Sequence, residues 1–245
     1  MKIRHTLVFV FIIASSMLCK AQEDSLPNFH MDLVLKDGYF AYSKKIAYNL
    51  RYSYQTKVKG TKGIILLKFQ NKIGEGIQSE VLTYLDEYVE KNVNDILPML
   101  TEQWVSIEEP YTAYIAVTYN IDYYYYETLA ASLEEMPETF KSNMSGKVNV
   151  IGLNSFEQMA SEKNNDPIIL EEYEKLNADL RKSLKKGKNK KAYSALNQII
   201  ALNPFNQKLI RQRQELETQL RLNQYSEYDT RLLEALPHLN SYFNE

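Results

Sequence analysis

The chain has 245 residues, with 29 Lys and Arg against 31 Asp and Glu and a formal net charge of −2. That length accommodates one or two domains, and the slightly acidic balance argues against nucleic-acid binding, which requires a dominant basic surface. Tyrosine stands out, with 19 against 9 Phe and 1 Trp; its large ring with a polar tip suits half-buried sheets and interfaces.

At the N-terminus, Lys2 and Arg4 precede an apolar run from Leu7 to Leu18, followed by Cys19, Lys20 and Ala21. A basic start, a short apolar stretch and small residues before a cut after Ala21 predict an export signal over residues 1–21. The run is short for a span, which needs roughly 20 apolar residues. An uncleaved signal-anchor is the rival reading; a lipoprotein reading of Cys19 lacks small residues at Met17 and Leu18. Cleavage would remove three cations, no acid and the only cysteine, which shifts the charge to −5 and excludes disulfides from the mature chain. Export places the protein in the periplasm or against the envelope.

Residues 22–37 are polar and irregular. From Phe40 to Tyr54, Ile46, Ala47 and Leu50 follow mostly helical spacing. Gly60 and Gly63 bracket a turn, and Ile64 to Phe69 is a compact apolar run that predicts a strand. A turn over Asn71 to Gly76 leads into a weaker strand at Ile77 to Thr83. Val89, Val93, Ile96 and Leu97 predict an amphipathic helix from Asp86 to Leu100, with Pro98 near its end. Tyr111 to Ile121, rich in β-branched and aromatic residues, is the clearest strand. This order predicts an α+β fold, a small antiparallel sheet with helices on one face.

The four tyrosines Tyr123 to Tyr126 read as strand-end residues split between two faces, with a ligand-stacking patch as the alternative. Gly146 to Leu153 offers one further strand, and residues 155–166 read as a linker. Asp166 and Pro167 suit the cap and first position of a helix. Four apolar stripes follow, through Ile169 to Leu184, Ala192 to Ile200, Leu209 to Leu220 and Tyr225 to Leu236. Breaks at Gly187 and at Asn203 and Pro204 make them antiparallel helical pairs over residues 167–245.

Two segments resemble known families. Phe40, Ala41, Tyr42, Ile46, Ala47, Asn49, Leu50, Arg51, Tyr52, Gly60, Gly63 and Phe69 look like the opening of a TonB C-terminal domain of the type common in envelope proteins of the Bacteroidetes. Trp104 sits where that family places a tryptophan between its second helix and last strand, and Tyr111 to Ile121 matches that strand. The resemblance covers residues 38–121 and implies a TonB C-terminal-like domain, with an extension, over 38–154. More weakly, Gly187, Ala192, Leu196, Ile199 and Pro204 fall at the spacing of the second half of a tetratricopeptide repeat; a generic helical hairpin is the competing reading.

The mature chain keeps only His30 and His238, neither at metal-ligand spacing, and carries no nucleophile elbow, phosphate loop or dinucleotide fingerprint. Paired acids such as Glu108 and Glu109 read as solvated. The expectation is therefore no catalytic residue, cofactor, metal or small-molecule substrate. The basic stretch Arg181 to Lys191 reads as a solvated turn, or as a face for an acidic partner or anionic lipid.

A sheet with a long free edge accepts an extended peptide by strand addition. The TonB-like resemblance implies Tyr111 to Ile121 as that edge, with Tyr111, Tyr114, Ala116, Thr118 and Tyr119 as contacts. The implied partner is an envelope protein, such as an outer-membrane transporter or its peptide segment. A TonB-type energy transducer is the second alternative if the N-terminal segment is an uncleaved anchor; it is disfavoured, because the link from signal to module is about 18 residues, at most roughly 60 Å extended. A scaffold in which the helical tail recruits partners is the alternative.

Overall fold

The structure is a computed structural model and describes residues 34–50, 54–120, 149–151 and 168–244. The expected export signal, most of the N-terminal segment, Tyr123 to Tyr126, the linker 155–166, and Arg51 and Tyr52 of the TonB-like stretch lie outside the described residues.

The fold is mixed α+β. In chain order the described elements are α1 (Gly38–Asn49), α2 (Tyr54–Lys59), β1 (Gly63–Lys72), β2 (Gly76–Val81), α3 (Glu87–Thr101), β3 (Tyr111–Asn120) and β4 (Asn149–Ile151). Then come α4 (Ile168–Lys185), α5 (Asn189–Leu202), α6 (Gln207–Leu220) and α7 (Ser226–Asn244). The sheet order is β2-β1-β3-β4. β1 is antiparallel to both β2 and β3, whereas β4 runs parallel to β3 over Thr118, Tyr119 and Asn120.

β1 explains the layering. Ile64 and Leu66 join one apolar cluster, and Ile65, Leu67 and Phe69 join another, as the two-residue period of a strand requires. All five are at most 1 % exposed, so β1 is buried on both faces. On one face α1 and α3 contribute Tyr42, Ile46, Val89, Val93 and Leu100. On the other face lie Leu180, Leu196, Ile199, Ile210, Leu232 and Leu236 from the C-terminal helices. The expectation of helices on one face alone is therefore corrected. The four C-terminal helices cover the second face, and the sheet is the middle of three layers.

Tyr42, Ile46, Leu50, Phe69 and Trp104, which carry part of the TonB-like resemblance, share a core. Phe69 stacks on Trp104 with ring centroids 4.7 Å apart, and Tyr42 meets Trp104 edge-on at 5.5 Å. The Trp104 indole N–H donates to the Tyr42 hydroxyl at 3.0 Å, so the buried indole is satisfied. Asp86 caps α3 by accepting the N–H groups of Tyr88 and Val89, each at 2.8 Å. The helix ends at Thr101, so Pro98 sits within its last turn, near the end as expected.

Sheet and helical tail meet through specific contacts. A Cβ on Gly63 would lie 2.8 Å from the Ala201 carbonyl oxygen, so only glycine permits this approach of β1 to α5. Tyr84 packs edge-on to Tyr225 at 5.3 Å and against Tyr228 at 5.5 Å, and the Tyr228 hydroxyl donates to Glu90 on α3. Lys62 pairs with Glu172 at 2.7 Å. Within the tail, Arg213 and Asp229 form a buried bidentate pair. Glu217, 1 % exposed, accepts from the Tyr193 hydroxyl, the Tyr225 N–H and the Ser226 hydroxyl. Much of the tyrosine excess is thus spent on core and seam. Gly187, with φ of 62°, turns α4 into α5, and Ala192 is fully buried; these two helices form a hairpin.

Candidate functional site

The expected binding strand is not an open edge along its length. β1 occupies one side of β3, and β4 occupies the other at Thr118 and Tyr119. Tyr111 is 1 % exposed and Tyr114 6 %, the first in the α1 and α3 layer and the second toward the tail. Burial pushes both phenols up to about 12, with the charge of Glu80 adding to the effect at Tyr114. Ala116 is half-buried against the tail layer. The side chains expected to touch a partner at Tyr111, Tyr114 and Ala116 instead pack the interior, and Thr118 and Tyr119 lie on the stretch that β4 pairs. Tyr111 also donates its hydroxyl to the Val105 carbonyl at 2.8 Å, which fixes the loop entering β3.

The opposite edge of the sheet presents the better site. β2 pairs with β1 on one side and is the outer strand among the described residues. The Leu82 N–H donates to the Leu66 carbonyl at 2.8 Å, in register with the β1–β2 ladder. Because antiparallel bonding alternates, Gly76, Gln78 and Glu80 turn their backbone groups toward β1. Ile77, Ser79 and Val81 turn theirs outward, where no strand meets them among the described residues.

Beside that edge runs a groove of about 580 Å³ between β2 and α3. Ile77, Leu97, Pro98 and Trp104 supply its apolar lining, and Ser79 and Thr101 its polar wall. The Thr101 hydroxyl donates to the Ser79 hydroxyl at 2.6 Å, tying helix to edge. Pro98 has no N–H, so the Asn94 carbonyl loses its helical donor; both residues line the groove. A peptide added to β2 would pair its backbone with Ile77 and Ser79 and place alternate side chains over Leu97 and Pro98.

Sequence reasoning missed this site. The signal was present in β2, where apolar Ile77 and Val81 alternate with polar Gln78 and Glu80, the pattern of a strand with one solvated face. Elsewhere, His30 lies outside the described residues and His238 is on α7. Among the described residues no group of three or more His, Cys, Asp or Glu is placed to hold a metal ion. Nor is any described helix long and apolar enough to cross a membrane. Compared with protein-family models, with curated proteins and with solved structures, the chain gives no match.

Proposed function

We propose that the chain is an exported, non-enzymatic protein-interaction module of the cell envelope, an adaptor similar to a TonB C-terminal domain that grips an extended segment of an envelope partner by strand addition. The observation that carries this reading is the outer edge of β2 beside the β2–α3 groove: outward backbone groups at Ile77 and Ser79 next to an apolar lining. Backbone pairing would supply affinity and the groove would read side chains. The site moves from β3 to β2, because β3 is paired on one side throughout and on the other at Thr118 to Asn120.

Three variants test it against peptides selected from a random-sequence display library. Ser79→Pro removes the outward N–H while leaving the bonds to β1, since proline is tolerated where an edge faces solvent. Ser79→Ala removes only the contact with Thr101. Ala116→Pro removes an outward N–H of β3. We expect capture to be lost in Ser79→Pro and retained in the other two, all three remaining folded by circular dichroism. Loss in Ala116→Pro with retention in Ser79→Pro would return the site to β3.

The scaffold alternative draws on the tail, which has its own buried network at Arg213, Glu217 and Asp229. Its packing on β1 favours a single working unit over a detachable recruiting arm.

A further inference from the structure

The basic stretch of the tail is organised as a pocket. Arg181 to Lys191 spans the end of α4, the Gly187 turn and the start of α5. Lys182, Lys186, Lys188 and Lys191 line a cavity of about 490 Å³ together with Ser183, and the only acid in its wall is Asp179. That volume is within the usual range for a small-ligand site, about 300–1,000 Å³.

Three observations make it more than a solvated turn. First, Lys45, Lys59, Lys62, Lys68 and Lys91 each sit in an ion pair, whereas none of the four pocket lysines meets a carboxylate among the described residues. Second, Ser183 lines the cavity and its hydroxyl makes no hydrogen bond to a described residue, which leaves it open to a ligand there. Its carbonyl is engaged, accepting the N–H groups of Lys186 at 3.2 Å and Lys188 at 2.9 Å. Third, α5 starts at the cavity with Lys188 as its cap, which makes no side-chain capping bond, so the positive end of the helix adds to the lysine charge.

We propose that this pocket binds a compact phosphate-type oxyanion, with Lys182, Lys186, Lys188 and Lys191 neutralising its charge and Ser183 donating to one oxygen. Several cationic donors around one half-open cavity suit a compact tetrahedral group rather than the spaced carboxylates of an acidic peptide. Such a group is presented by soluble phosphorylated compounds and by the headgroups of anionic lipids. The site is separate from the β2 edge and stands whether or not that edge binds peptide.

The test uses the full chain, titrated with inorganic pyrophosphate by calorimetry and sedimented with phosphatidylglycerol or phosphatidylcholine vesicles. K182E/K186E reverses two pocket lysines; K185E/K190E makes the same charge change outside the lining, and both are checked for native circular dichroism. We expect saturable pyrophosphate binding, weakened about tenfold or more in K182E/K186E and much less in K185E/K190E, as loss of charge-assisted contacts implies. S183A should weaken binding severalfold without changing the charge. Binding to phosphatidylglycerol vesicles alone, with the same dependence on variants, would assign the phosphate to a lipid headgroup. Equal loss in the two double variants would reduce the effect to diffuse charge and overturn the pocket, as would absence of binding to every probe.

Discussion

Ending the chain at Pro167 removes α4 to α7 and uncovers one face of the sheet. Ile64, Leu66, Leu82 and Tyr114 belong to the cluster those helices complete, and each is at most 6 % exposed. At about 1.5–3 kcal/mol for each buried side chain returned to water, the loss is about 6–12 kcal/mol. Whole domains are stable by only about 5–15 kcal/mol, so the remaining α/β unit should not hold its fold. The seam contacts of Tyr84 with Tyr225 and Tyr228 disappear as well. We expect the truncated protein to bind a hydrophobic dye, to lack dispersed amide resonances, and to show no cooperative urea transition. The full chain should unfold in one transition followed equally by Trp104 fluorescence and by helical circular dichroism. A monomeric truncated protein with a cooperative transition and native-like resonances would refute the three-layer reasoning. The same calculation shows why deleting the tail does not distinguish an adaptor from a scaffold: both activities would vanish with the fold.

Other consequences are local. Gly63→Ala should destabilise by about 1–3 kcal/mol, since the new methyl meets the Ala201 carbonyl oxygen at 2.8 Å and backbone must move; urea midpoints check it. Tyr42→Phe keeps the ring but leaves the Trp104 N–H unpaired at 3 % exposure, which should cost about 1–3 kcal/mol, with Trp104, the only tryptophan, as reporter. Burial raises the phenols of Tyr111, Tyr114 and Tyr225 from 10.0 to about 12. The unfolded chain therefore ionises first, and the stability these groups contribute is complete below pH 10 and lost as pH rises toward 12. The last part of the tyrosinate absorbance should rise together with loss of circular dichroism; ionisation of all 19 tyrosines with the fold intact would contradict it.

The elements were largely legible in the sequence, because their signals are local. Asp86 marked the start of α3, the Ile64 to Phe69 run marked β1, and Gly187 and Pro204 separated the tail helices. The layering was not read, although its sign was there. Four consecutive apolar residues, Ile64, Ile65, Leu66 and Leu67, mean a strand covered on both faces, whereas a sheet with helices on one face would alternate. Gly63 carried a second sign, which reads as a turn glycine in sequence and becomes a helix-contact glycine only once α5 is in place. The site was misplaced for a related reason. Tyr111 and Tyr114 look like sticky edge residues because their aromatic character is visible, but which strand lies at the margin depends on long-range pairing. β2, modest in sequence, holds the outer position.

The most direct test of the proposed grip is residue-resolved amide hydrogen exchange of the full chain with and without a selected binding peptide. Strand addition at β2 requires slowed exchange at Ile77 and Ser79, whose N–H groups turn away from β1, with Gln78 and Glu80 nearly unchanged because β1 already holds them. Protection confined to Tyr114 and Ala116 on β3, or to the tail helices with β2 unaffected, would contradict it.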